Sequence, residues 1–105
     1  MKFNCGTVEG TGAVISVTCG FIPDYVVVVN YDGNAREEWI GNSAMGAADA
    51  QKIESSGTDA GDVSKLTTTG ITVTDVDSTF LGFYIAVDSD VNVANETIGW
   101  VAMAR

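Results

Sequence analysis

Gly20-Phe21-Ile22-Pro23-Asp24-Tyr25-Val26-Val27-Val28-Val29-Asn30 is a tight corner that runs directly into a string of β-formers. In a helix each valine loses χ1 freedom against the preceding turn, so four in succession disfavour a helix and suit an extended strand. A strand that is apolar on both sides is expected to be covered on both faces. The reading is a central strand buried from two sides, with its valines in the core and the partner-binding surface elsewhere.

The neighbouring segments extend this pattern. Lys2 to Val8 reads as a first strand, and Glu9-Gly10-Thr11-Gly12 as a turn. Ala13 to Thr18 alternates, with Ala13, Ile15 and Val17 on one face. Asp32-Gly33-Asn34 is a strong turn signal, and Glu37 to Gly41 a short strand around Trp39. Ser43 to Ile53 holds enough alanine for a helical turn or two, against which Gly46 argues. Residues 55–62 are small, polar and acidic, and read as an exposed, mobile loop. Thr67 to Val76, Phe80 to Val87 and Glu96 to Ala104 complete the strands, with Gly82 allowing a close backbone approach or a bulge. Asp88 to Asn95 is a polar connection.

This arrangement predicts an all-β fold: an antiparallel β-sandwich, jelly-roll-like, or a small barrel of about seven or eight short strands. Almost no segment could serve as a crossover helix, which disfavours a parallel α/β sheet. One domain over residues 1–105 suits this length.

Fourteen acidic residues against five basic ones give a net charge of -9. The bases, Lys2, Arg36, Lys52, Lys65 and Arg105, are scattered, so no cluster exists to neutralise phosphates and a nucleic-acid partner is not expected. No apolar stretch resembles a signal peptide or a membrane span, so the chain reads as made in the cytoplasm without an anchor. In that compartment Cys5 and Cys19 are expected as free thiols, although two strands that could pair leave a bridge geometrically open.

The chain has no histidine, which removes Ser-His-Asp and Cys-His nucleophilic sites and the usual zinc ligand sets. Gly6, Gly10 and Gly12 lie close together but outside any strand-to-helix turn, so a nucleotide loop is not expected. Asp88-Ser89-Asp90-Val91-Asn92 begins like a calcium loop, then presents Val93 where glycine is needed and Gly99 where a bidentate glutamate is needed. It reads as a solvated loop with Asx-turns, and Asp75-Val76-Asp77 as a polar strand end. Glu37 and Glu38 are adjacent on a strand and point to opposite faces, so they cannot flank one bond; both read as a solvated strand start. Trp39 and Trp100 sit in apolar strand patterns and read as core or interface residues, the alternative being a sugar-stacking platform. Asn95-Glu96-Thr97 matches a glycosylation sequon that has no evident meaning without secretion. No catalytic, cofactor-binding or metal-ligating residue is assigned, and no cofactor is expected.

Gly12-Ala13-Val14-Ile15-Ser16-Val17, the Gly20-Phe21-Ile22-Pro23-Asp24-Tyr25-Val26 corner, Glu37-Glu38-Trp39, Thr68-Thr69-Gly70-Ile71, Gly82-Phe83-Tyr84-Ile85 and the closing Ile98-Gly99-Trp100-Val101-Ala102 follow one another along nearly the whole chain. In this order they resemble the small β-rich virion domains of tailed bacteriophages, found in capsid decoration (cement) proteins and in tail or fibre proteins. The resemblance implies a structural role without catalysis, located in the virion. Lacking a stalk or second domain, the chain looks more like a decoration protein, expected as a homotrimer that binds the major capsid protein and stabilises the outer shell. The alternative is a receptor- or glycan-binding module of a tail, fibre or spike.

Overall fold

The computed structural model describes residues 1–41, 45–54, 60–73, 79–88 and 90–105. Among them are eight strands and no helix: β1 (Lys2–Glu9), β2 (Ile15–Thr18), β3 (Tyr25–Asn30), β4 (Ala35–Ile40), β5 (Asp49–Glu54), β6 (Val63–Val73), β7 (Gly82–Ile85) and β8 (Thr97–Ala104). They form one sheet in the order β1-β8-β3-β4-β5-β6-β7-β2, with every pairing antiparallel. The sheet curls on itself like a nearly closed barrel. Phe83 on β7 meets Trp100 on β8 edge to face across the interior, ring centroids 5.7 Å apart, although four strands separate them in the hydrogen-bonding order.

Curling is made possible by β6. Its register with β5 jumps from Asp49↔Ile71 to Ala50↔Leu66, which leaves Thr67 to Gly70 as a bend. The first part of β6 pairs with β5 and the last part with β7, so one strand turns the corner of the barrel. Side chains directed inward from β2, β3, β4, β6, β7 and β8 meet in the core, among them Val17, Val26, Val28, Trp39, Ile71, Phe83, Ile85 and Ile98. Full burial of each large apolar side chain contributes about 1.5–3 kcal/mol.

Three expectations are corrected. Residues 49–54 are strand β5: Ala50 and Lys52 turn inward and Gln51 and Ile53 outward, a period of two. Alanine's helix propensity yields here to pairing with β4 and β6. The central strand is not covered on both faces. β3 has ladder neighbours on each side, and Val26 and Val28 are fully buried, but Val27 is only half-buried and Val29 is exposed. Finally, the strands near the two cysteines do not pair with each other. β1 lies against β8 and β2 against β7, leaving Cys5 exposed and Cys19 buried as free thiols. The helical expectation at residues 43 and 44, most of the loop expected at 55–62 and the Asp75-Val76-Asp77 strand end lie outside the described residues. The described end of that loop, with Gly61 N–H donating to Glu54 C=O, closes the β5–β6 hairpin.

Gly33 and Gly82 are among the glycines that geometry requires. Gly33 has φ 95° in the turn between β3 and β4, where a side chain would be strained. At Gly82 a Cβ atom would stand 1.9 Å from the Val17 carbonyl oxygen, the partner strand's backbone. Gly82→Ala is expected to break the β2–β7 ladder and destabilise the fold by about 3 kcal/mol, read by chemical denaturation. Wild-type stability in that variant would contradict the close approach.

Candidate functional site

Two places are built from side chains that local rules alone do not explain. The first is the outer face of β1-β8-β3-β4. Strand register aligns Phe3, Met103, Tyr25 and Ile40 in one row across the four strands. The next row is Cys5, Val101, Val27 and Glu38, and the third Thr7, Gly99, Val29 and Arg36. Phe3, Val29 and Ile40 are exposed, while Tyr25, Val27, Val101 and Met103 are half-buried. Within these three rows charge enters only along β4, and Glu9 follows on the same face at the end of β1. On β4 the Glu38 carboxylate accepts from the Tyr25 hydroxyl, a bond that holds the phenol proton and raises the Tyr25 pKa above its ordinary value. The remaining surface carries most of the acidic excess, so this is a largely uncharged sheet face on a strongly acidic molecule.

The second place lies inside the barrel. Ala35, Glu37 and Trp39 alternate inward from β4, and Lys52 sits opposite Glu37 on β5. The Lys52 ammonium contacts Asp88 at 3.0 Å, Asp90 at 2.6 Å and Glu54 at 3.7 Å. Burial alone would lower the Lys52 pKa; bonds to Asp90 and Asp88 outweigh it and raise the value. Asp88 Oδ1 also accepts the backbone N–H groups of Asp90 (2.9 Å) and Val91 (3.1 Å), an Asx-turn that folds the loop inward. Glu37 is fully buried, and neither carboxyl oxygen has a hydrogen-bond partner among the described residues. Desolvation, reinforced by the Asp88 charge and opposed by Lys52, pushes its pKa up to about 8, so it is mostly protonated at neutral pH.

The loop carrying Asp88 closes one end of the barrel. Asn92 is buried there, its amide donating to Ala13 and Ala86 carbonyls and its oxygen accepting from Thr11 and Gly12. Asn30, at the end of the valine run, donates to Val91 C=O and to Glu96.

Several site expectations are corrected here. Glu37 and Glu38 do point to opposite faces, but Glu37 is interior, because β4 begins at Ala35 and so Glu37 lies in mid-strand. Asp88 forms the expected Asx-turn yet is buried against Lys52 and not solvated. Among the described residues no group of three or more acidic or cysteine side chains is arranged to hold a metal ion; the Lys52 ammonium stands between Asp88 and Asp90. Trp39 and Trp100 are both buried, as core residues. Glu37 could have been found from sequence: it shares its parity with Trp39, whose burial was expected. Lys52 could not, because its alanine-rich segment suggests a helical period. Searches against family models, curated proteins and solved structures found no match to this chain.

Proposed function

We propose that this chain is a virion structural protein of a tailed bacteriophage, a decoration protein that docks on the assembled capsid without catalysis. The apolar outer face of β1-β8-β3-β4 is the observation that carries this reading. Phe3, Val27, Val29, Val101 and Met103 form a continuous strip that the fold itself leaves uncovered, and such faces mark interaction surfaces. Acidic surroundings keep the unbound protein soluble and steer this face to a complementary patch on the shell. Each docked copy adds contact area between neighbouring shell subunits and opposes their separation.

Co-sedimentation with assembled shells tests the reading. Phe3→Ser and Val29→Lys alter exposed positions and are expected to leave folding intact while weakening shell binding by about tenfold or more. Failure of the wild-type chain to bind shells, or its absence from virions in cryo-microscopy, would reject it.

Tyr31 favours a second reading. It is 81% exposed at the turn after β3, where an aromatic ring can stack on a sugar. A glycan array that detects binding lost in Tyr31→Ala would move the assignment to a receptor-binding module.

A further inference from the structure

We infer that Lys52 and Asp88 are placed to condense into an intramolecular amide bond that covalently fastens β5 to the loop closing the barrel, with Glu37 carrying the protons.

The geometry has three parts. The Lys52 nitrogen lies 3.0 Å from Asp88 Oδ1 and 3.1 Å from Oδ2, so the nucleophile straddles the carboxyl group. Close, fixed approach of this kind lowers the barrier to joining two groups. Second, Asp88 Oδ1 already accepts two backbone N–H groups, from Asp90 and Val91. These donors polarise the carbonyl and would hold the oxyanion that forms on attack. Third, Glu37 lies directly across the β4–β5 ladder from Lys52, buried, with both oxygens uncommitted and out of contact with the Lys52 ammonium, so a rotamer change or one bridging water brings it into reach. A buried carboxyl that is mostly protonated at neutral pH is suited to giving and taking protons there.

The step balances without a co-reactant. Within the dry site the ammonium passes a proton to the Asp88 carboxylate, giving a neutral amine and a carboxylic acid. The nitrogen lone pair attacks Cγ, forming the N–C bond and leaving negative charge on Oδ1. Glu37 takes a proton from the nitrogen with one oxygen and returns one to the departing Oδ2 from the other. The C–O bond breaks, one water leaves and nothing is oxidised or reduced. Burial works against the ion pair but the bonds to Asp90 and Asp88 outweigh it, so this transfer is the uphill step and the neutral pair is the minor species that reacts. Both partners have side chains only 7% exposed. Asp90 also touches Lys52, but its side chain is 36% exposed and so open to water. It orients the amine and is not the acceptor.

Mass spectrometry of the purified full-length chain, fresh and after prolonged incubation at neutral pH, tests the inference. The expected mass is one water below that of the sequence. Trypsin should fail to cut at acylated Lys52, giving a branched peptide that joins residues 37–65 to residues 66–105, with fragmentation placing the branch at Lys52 and Asp88. Lys52→Arg keeps a cation between Asp88 and Asp90, and with it the fold, but should retain the full mass. Glu37→Gln should slow or abolish the water loss while circular dichroism reports a folded β protein. A full-mass wild-type chain after incubation overturns the inference, as does a water loss that persists in Lys52→Arg or maps to another residue. Bond formation at the wild-type rate in Glu37→Gln overturns the role given to Glu37.

Discussion

Replacing Lys52 by methionine is expected to destabilise the fold by about 4 kcal/mol, because removing one member of a buried ion pair leaves its partner charged and uncompensated. Lys52 is the cation in contact with both Asp88 and Asp90, and Asp88 has almost no access to water. Methionine fills a similar volume, so the loss is electrostatic and not one of packing. Combining Lys52→Met with Asp88→Asn should recover a large part of the stability. Asparagine keeps the oxygen that accepts from Asp90 and Val91 and removes the stranded charge. Urea unfolding of the single and double variants reads both values, and a double variant no more stable than Lys52→Met would contradict the charge argument.

Glu37 should make the fold weaken as pH rises through the neutral range. Its pKa rises from 4.5 in the unfolded chain to about 8 in the folded protein. Between those values the unfolded chain has released this proton and the folded chain still holds it. The unfolded state therefore binds fewer protons, and its share grows with pH. This contribution is fully present below pH 4.5 and is lost by about pH 8. The slope is about 1.4 kcal/mol per pH unit and the total on the order of 5 kcal/mol. Glu37→Gln cannot titrate, so its stability should be flatter over the same window. Comparing slopes removes any constant offset that the substitution introduces. Denaturation midpoints at intervals from pH 5 to 8 measure it, and parallel curves for the two proteins would refute the assignment.

The fold class was legible in the sequence because strand signals are local. The valine run, the alternation of Ala13 to Val17 and the Asp32-Gly33-Asn34 turn all act within a few residues. β5 was not legible, since an alanine-rich stretch has its helix propensity within itself and its pairing partners elsewhere. The interior charges were hidden for a related reason. Glu37, Lys52 and Asp88 are each ordinary on a solvent face, and only the curl of the sheet brings them together. The outer face was half legible: the run from Val26 to Val29 announces two apolar faces, but nothing in the run says whether the chain itself covers both. Ladder order alone makes β3 central, while burial of its outer face needs a second layer that this single curled sheet lacks.

The place of β8 in the ladder bears on how the protein is made. Residues 97–104 lie between β1 and β3, the first and third strands to be synthesised. Until they leave the ribosome, β1 has no ladder partner and β3 has only one. The inward faces of Val26 and Val28 also lack their neighbour Trp100. Closing a loop of nearly the whole chain is entropically slow, and contacts of such range set the folding rate. The nascent chain therefore passes through a stage with two unpaired strand edges and an open apolar sheet. Its acidic charge, spread along the sequence, then serves to keep neighbouring unfinished chains apart before the barrel exists.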